Sequence, residues 1–230
     1  GGIGYLGAIL IKKLLSKNYD VITIDPLIFG EANLKELKKI KNFHLIVGLT
    51  EDVYILNKIF EEKIYAVIHL SGLSNDPTAE LDYELTKKSN VDSTKNLIKV
   101  CKKFKVEKFI FASSCSVYGY TGEDFMVNED SKLNPISAYA QSKIDCEEII
   151  LGEEDSNFCP VSFRKGTLFG YSPRMRFDLV INTMTGLAQD QNKIMINGGK
   201  QWRPFLHVAD AADLYCESVD FDKKIISGKV

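Results

Sequence analysis

The feature that most constrains the fold is a regular alternation of short apolar segments with longer amphipathic ones. Four apolar segments rich in β-branched residues predict strands, at 20–25, 43–47, 65–70 and 107–112. Five longer segments predict helices, at 5–17, 31–41, 51–62, 79–104 and 137–151. This alternation predicts an α/β fold built on a doubly wound parallel sheet with helices on both faces.

The chain begins with a glycine run, Gly1-Gly2-Ile3-Gly4-Tyr5-Leu6-Gly7, that leads straight into the first predicted helix. Glycines allow a tight turn close to a phosphate, and the free N–H groups of a helix start bind the anion. Asp25 ends the first predicted strand, 18 residues after Gly7. That is near the spacing of about 20 residues at which a carboxylate binds an adenosine ribose. The motif normally follows a buried strand, so we expect a short apolar strand upstream of Gly1 in the natural chain.

Composition argues against several classes of protein. A net charge of −2 gives no reason to expect nucleic acid or an anionic membrane as partner, and no apolar run approaches the length of a membrane span. The three histidines are far apart and suggest no metal site. Five scattered cysteines without a Cys-x-x-Cys pair favour neither disulfides nor zinc and fit a cytoplasmic protein: Cys101, Cys115, Cys146, Cys159 and Cys216.

The alternation loosens after about residue 160. We predict a strand near 160–164, a helix at about 177–190, a short strand at 193–197, and a strand and helix over 204–219. We therefore expect a dinucleotide-binding Rossmann domain at 1–164, interleaved segments of a smaller substrate lobe at 165–206, and a return helix with the start of a truncated C-terminal part at 207–230. The four arginines lie only in this last third, where a guanidinium serves either bidentate recognition or ion pairing: Arg164, Arg174, Arg176 and Arg203.

Two polar clusters fall beside the carboxyl ends of predicted strands, where such sheets bind ligands. Tyr139 and Lys143 share one face of a helix that Ser137 would cap. Tyrosine, with a pKa near 10, is a poor base at neutral pH, but a nearby ammonium and an oxidised nicotinamide would favour its phenolate. The second cluster, around Ser114, ends the strand in FIFASSCSVYG. Taken alone, the first pattern is typical of a solvated helix face and the second of a turn.

Together these motifs resemble the extended short-chain dehydrogenase/reductases of the nucleotide-sugar epimerase/dehydratase family, of the kind similar to UDP-glucose 4-epimerase. The resemblance covers nearly the whole chain and its motifs occur in order: GGIGYLG, the strand ending at Asp25, VIHLSGLS, NVDSTKNL, FASSCSVYG, SAYAQSK and WRPFLHVADAA. Members of this family are longer than 230 residues, so we expect further substrate-lobe residues after Val230.

The resemblance implies NAD as cofactor, because Asp25 would bind the adenosine ribose and repel a 2′-phosphate. The residues it places along the cofactor are Gly1, Gly4, Tyr5, Leu6, Gly7, Asp25, Leu70, Ser71, Gly72, Asn90, Tyr139 and Lys143. Ser114, Tyr139 and Lys143 are implied to be catalytic. A nucleotide-diphosphate sugar is implied as substrate, and the residues that would contact it are Ser114, Thr167, Asn182 and Arg203. Two positions depart from the family pattern: Leu49 replaces an aspartate and Thr167 an asparagine.

The resemblance also implies a homodimer in which the helix at 79–104 and the helix starting at Tyr139 form a four-helix bundle. The apolar positions that core and interface would share are Leu85, Val91, Leu97, Ile98, Ile144 and Ile149.

The run Ser114-Cys115-Ser116 discriminates between the reactions of this family. Similar dehydratases carry Thr-Asp-Glu there, and elimination of water needs an acid and a base that cysteine and serine do not readily supply. We therefore expect an NAD-dependent nucleotide-sugar epimerase that acts at C4 through a transient 4-keto intermediate. A 4-keto-sugar reductase is the alternative among enzymes, and a non-catalytic dinucleotide sensor is the alternative outside them.

Overall fold

The computed structural model describes residues 1–31, 34–74, 80–122 and 126–230. Its strands are β1 (Val21–Asp25), β2 (Phe43–Val47), β3 (Ala66–His69), β4 (Lys108–Ser114), β5 (Cys159–Lys165), β6 (Thr167–Phe169) and β7 (Phe205–His207). Its helices are α1 (Gly7–Ser16), α2 (Leu34–Leu37), α3 (Val53–Phe60), α4 (Tyr83–Thr86), α5 (Ser93–Lys103), α6 (Ala138–Leu151), α7 (Val180–Gln191), α8 (Val208–Ser218) and α9 (Lys223–Ile226).

Every strand pairing between these elements is parallel. β1 pairs with β2, β4 lies between β3 and β5, and β6 pairs with β7. Parallel neighbours require crossover connections, and helices supply most of them here. The carboxyl ends of β3, β4 and β5 therefore meet at one edge of the sheet.

Helices cover both faces of this sheet, as the alternation of side chains along β4 demonstrates. Ile110 and Ala112 pack into a core shared with α1 and α8, whereas Phe109 and Phe111 pack into a second core shared with α3, α5 and α6. Successive strand residues point to opposite faces, so a strand that is buried at six consecutive positions, as β4 is, is covered on both sides. The prediction of a doubly wound parallel α/β fold is confirmed.

A groove separates the edges of β1 and β3. It contains a cavity of about 150 Å³ that is lined by Ile22 and Ile24 on one side and by Val67 and Ile68 on the other. Within the described ranges, β1 and β3 do not pair with each other. The strand expected upstream of Gly1 stays a prediction, as does the division into domains.

The structure corrects three predicted elements. The helix at 79–104 is interrupted by a π-helical stretch, Lys87–Asp92, between α4 and α5. The strand at 193–197 is wrong, because Ile194, Met195 and Ile196 are exposed and pair with no strand in the part of the chain that the structure describes. The short strands of this region are β6 and β7 instead. The predicted helix at 31–41 is shorter, Leu34–Leu37.

The described residues contain neither a membrane-spanning helix nor a cluster of metal-binding side chains. In the ranges given above, no helix has the length and apolar character that a membrane crossing requires. The same ranges hold no group of three or more His, Cys, Asp or Glu residues that could bind a metal ion.

Candidate active site

The glycine run forms a compact turn that enters α1. Gly4 N donates to Gly1 O at 3.3 Å, and Ala8 N donates to Gly4 O at 2.9 Å, which begins the helix. The carboxylate of Asp25 lies against this turn: Oδ2 accepts from Ile3 N at 3.0 Å. Because the glycines of this turn have no β-carbon, a phosphate can approach its N–H groups, and the arrangement fits a dinucleotide with its pyrophosphate at α1 and its ribose at Asp25.

A glycine is required at position 7 because the backbone of Gly2 packs directly against it. A β-carbon there would lie 2.2 Å from Gly2 O and 2.6 Å from Gly2 C, which are backbone atoms that cannot move aside. We expect Gly7→Ala to displace the turn and to weaken NAD binding by about tenfold or more, the equivalent of overpacking. Titration of the protein with NAD, followed by calorimetry, measures this effect.

Gly186→Ala is the matched control, since its β-carbon would meet only the Phe177 ring at an ordinary 3.7 Å. Gly186 lies inside α7, where alanine favours the helix, so this variant should bind NAD normally and be at least as stable. Equal NAD affinity in the two variants would contradict the role given to the turn.

Asn90 connects the end of β3 to α6. Its Oδ1 accepts from Leu73 N at 2.7 Å, and its Nδ2 donates to Leu73 O at 3.1 Å and to Ser142 Oγ at 3.0 Å. Ser142 Oγ in turn donates to Tyr139 O at 2.8 Å. The buried Asn90 side chain therefore holds the segment after Leu70 against the helix that carries the predicted catalytic residues.

Ser71 and Gly72 lie in the segment that Asn90 fixes. Gly72 has a φ of +131°, and a β-carbon on it would lie 2.6 Å from Asn90 Oδ1. Ser71 Oγ is 3.2 Å from both Thr50 Oγ1 and His69 Nδ1. Burial lowers the pKa of His69 to about 3, so this imidazole is neutral and serves as a hydrogen-bonding group in the core.

Tyr139 and Lys143 lie on one face at the start of α6, as predicted. Ser137 caps the helix by accepting from Ala140 N at 3.1 Å. Lys143 Nζ donates to Ala112 O at 3.0 Å and lies 5.6 Å from the centre of the Tyr139 ring. Both side chains are buried, and desolvation lowers the pKa of Lys143. The pair is thus fixed beside the carboxyl end of β4.

Ser114 ends β4 at the same edge of the sheet. Its Oγ accepts from Ser116 N at 3.2 Å and donates to Ser116 Oγ at 3.1 Å. Ser114 is half-buried, so part of this residue remains accessible at the carboxyl end of β4. Burial raises the pKa of the Cys115 thiol, which favours the neutral form at physiological pH.

Tyr5 joins the glycine turn to the loop after β6. Its hydroxyl donates to Gly170 O at 2.5 Å, and its carbonyl accepts from Ser172 Oγ at 2.6 Å. Asn182 Nδ2 donates to the Tyr5 hydroxyl and to Arg176 O, both at 3.0 Å, while its Oδ1 accepts from Gly170 N at 3.0 Å. The Asn182 side chain is therefore engaged within the protein, and its contact with a substrate diphosphate stays a prediction.

The remaining predicted substrate residues, Thr167 and Arg203, lie on neighbouring segments. Thr167 N donates to Pro204 O at 2.9 Å, directly after Arg203, and Arg203 is exposed. The guanidinium of Arg203 is also close enough to Cys115 to act on the thiol's titration. Arg203 is thus within electrostatic range of the residue that follows Ser114, and Thr167 lies beside the neighbour of Arg203.

Lys165 is a residue of this site that the sequence analysis did not select. It ends β5, pairs in register with Ser114, and donates from Nζ to Ser113 O at 2.7 Å. A lysine at the end of a strand normally extends into solvent. Only the pairing of β4 with β5 shows that this one lies beside Ser114.

Comparison with known proteins places the chain in a family. The model of the NAD dependent epimerase/dehydratase family matches residues 1–229. A dTDP-D-glucose 4,6-dehydratase of Dictyostelium discoideum is 30% identical over 94% of this chain, and the chain spans 53% of that protein's length. The UDP-glucose 4-epimerase of Schizosaccharomyces pombe is 33% identical over 96% of the chain and is covered over 69% of its own length.

A solved structure agrees with these relatives. The UDP-glucuronic acid 4-epimerase from Bacillus cereus, in complex with UDP-glucuronic acid and NAD, has a TM-score of 0.86 at 26% identity, with 99% of this chain and 73% of that chain covered. The relatives include both dehydratases and epimerases. The family is NAD-dependent, and the B. cereus structure contains NAD, so the prediction of NAD as cofactor is confirmed. The chain belongs to the NAD-dependent epimerase/dehydratase family.

Proposed function

We propose that this protein is an NAD-dependent nucleotide-sugar epimerase that inverts C4 of the sugar through a transient 4-keto intermediate. The observation that carries the proposal is the placement of Tyr139 and Lys143 on α6, with Lys143 Nζ 3.0 Å from Ala112 O at the carboxyl end of β4. Asn90 ties this helix to the segment Leu70–Gly72 that would line the cofactor. A proton-transfer group is therefore held close to the proposed dinucleotide site.

Each residue then has a chemical role. The Tyr139 phenolate takes the proton from the C4 hydroxyl and later returns it to the 4-keto oxygen. Lys143 stabilises the phenolate, because a cation beside a phenol favours the charged form. Ser114 donates a hydrogen bond to the same sugar oxygen. The glycine turn and Asp25 would hold NAD, whose nicotinamide would supply a hydride acceptor for C4 and then a hydride donor to the other face of the ring.

The neighbours of Ser114 favour epimerisation over dehydration. Elimination of water needs an acid for the leaving hydroxyl and a base at the neighbouring carbon. Cys115 is held as a neutral thiol, and the Ser116 hydroxyl is hydrogen-bonded to Ser114. Neither group supplies that chemistry readily at neutral pH.

The substrate end of the proposal rests on Arg203 and Thr167. Arg203 is exposed and within electrostatic range of Cys115, and its planar guanidinium is suited to bind a diphosphate in bidentate fashion. A diphosphate anchored there would act as a pivot while the keto sugar turns over. We also propose that the protein works in the cytoplasm as a homodimer.

The dimer proposal is supported by the distribution of apolar side chains. Val91, Leu97, Ile98 and Ile144 are buried within the chain's own core, whereas Leu85 at α4 is 48% exposed. The proposed four-helix bundle would cover Leu85, and a sedimentation measurement of the Leu85→Glu variant tests this.

Incubation of the purified protein with UDP-glucose, without added cofactor, tests the proposed reaction. We expect NAD to co-purify and the C4 epimer to accumulate to equilibrium without net cofactor consumption. dTDP-glucose and UDP-glucuronic acid extend the panel, with mass spectrometry to detect loss of water. Stoichiometric consumption of reduced cofactor would support the reductase, loss of water a dehydratase, and NAD binding without turnover the sensor. Each of these results contradicts the proposal.

A further inference from the structure

Lys165 places a second ammonium group beside Ser114, where the proposed function puts the sugar. Cys159 and Val161 of β5 belong to the same core as Ile110 and Ala112 of β4. The register of the two strands pairs Val161 with Ile110 and Lys165 with Ser114. Because side chains alternate along strands, Lys165 and its partner Ser114 project from that same face. Neighbouring strands lie about 4.8 Å apart, so the two side chains are adjacent.

Two cations act on Lys165, and one of them, Arg176, is itself paired with Asp178. Lys143 and Arg176 are the charged groups close enough to act on its titration, and the neutral Cys115 thiol is the other titratable group near it. In the described part of the chain, no carboxylate forms an ion pair with Lys165. Its ammonium is held instead by the Ser113 carbonyl at 2.7 Å.

This environment disfavours the charged form of Lys165. The pKa of Lys165 is lowered to about 7, mainly by burial and to a smaller extent by repulsion from Lys143. An oxidised nicotinamide beside Lys143 would add a further positive charge. A half-buried cation among cations is stabilised when a ligand supplies the missing negative charge.

We propose that Lys165 is a specificity-determining residue that binds a carboxylate on the sugar ring, so that the preferred substrate is a nucleotide-diphosphate sugar acid. This inference rests on the proposed function, because it places the sugar beside Ser114. The carboxylate accepts from Lys165 Nζ and compensates the charge of Lys143. A neutral hexose offers no anion at this position.

The position of Lys165 distinguishes a sugar carboxylate from the two diphosphates. The cofactor's pyrophosphate is expected at Gly1–Gly7, beside β1 and β3, whereas Lys165 ends β5 on the far side of β4. The substrate's diphosphate is expected at Arg203. The anion near Ser114 is therefore the one carried by the sugar.

Binding of UDP-glucuronic acid and UDP-glucose to the NAD-loaded protein tests this inference, because the two ligands differ only at C6. At pH 6 we expect the native protein to prefer UDP-glucuronic acid by about 10- to 100-fold, the value of one charge-assisted hydrogen bond. Lys165→Met should abolish the preference while changing the affinity for UDP-glucose by less than about threefold. Lys95→Met, which removes an exposed lysine on α5, should retain the preference.

The pH dependence gives an independent readout. In the native protein the preference should fall as the pH rises above about 7, where free Lys165 loses its proton. In Lys165→Met it should stay flat.

Three results would overturn the inference. These are the absence of a preference in the native protein, a preference that survives Lys165→Met, and an equal loss of affinity for both ligands in that variant, which would assign Lys165 to the diphosphate. Because binding is measured rather than turnover, a protein that shows the preference but no epimerisation would refute the proposed function and leave this inference standing.

Discussion

Replacing Tyr139 with phenylalanine is expected to lower kcat by about 10²- to 10⁴-fold, the usual contribution of a positioned acid–base group. The variant loses the hydroxyl that is proposed to exchange a proton with the C4 oxygen, whereas the ring still fills the buried space at the start of α6. NAD binding should be nearly unchanged, because the glycine turn, Asp25 and Lys143 are intact. Steady-state kinetics with the substrate that the proposed panel of nucleotide sugars identifies, together with NAD titration, separate the two effects.

Tyr54→Phe is the matched control for this variant. Tyr54 lies on α3 and is 78% exposed, so removal of its hydroxyl should leave kcat unchanged. A Tyr139→Phe protein with native kcat would show that another group exchanges the proton. A variant that had lost NAD as well would indicate a structural defect rather than a chemical one.

The largest expected effect on stability belongs to Glu147, one turn after Lys143 on α6. Its carboxylate accepts from Arg164 Nη2 at 2.7 Å, from Arg164 Nε at 3.1 Å, and from Ser162 Oγ at 3.1 Å. Both side chains of the ion pair are buried. Glu147→Ala leaves the guanidinium without its counter-charge, so we expect the free energy of unfolding to fall by about 3–5 kcal/mol. Urea denaturation measures the loss.

Glu148→Ala provides the comparison, because this glutamate is the next residue on α6 and is exposed. Its removal should change the free energy of unfolding by no more than about 0.5 kcal/mol. A loss below about 1 kcal/mol in Glu147→Ala would mean that solvent reaches Arg164 and compensates its charge. The ion pair would then contribute little to holding β5 against α6.

Elements whose own residues determine them are close to their predicted positions. The strand predicted at 43–47 is β2, and the helix predicted at 137–151 begins one residue later, because apolar β-branched runs and a serine cap are local signals. Tyr139 and Lys143 face the same way for an equally local reason, the helical period.

Features that depend on tertiary contacts were not predictable in this way. The π-helical stretch Lys87–Asp92 contains Asn90, whose partners Leu73 and Ser142 are distant in sequence. The segment 193–197 has the residues of a strand but no neighbouring strand to pair with among the described residues. Lys165 enters the site only through the register of β5 with β4.

The most direct test of C4 chemistry is the fate of deuterium placed at C4 of the substrate. If Tyr139 moves the hydroxyl proton while the hydride passes to NAD and back, both epimers recovered from ordinary water should keep the deuterium at C4. Nuclear magnetic resonance of the product mixture reads this directly. Loss of the label from C4 to water would contradict a C4 oxidation and reduction.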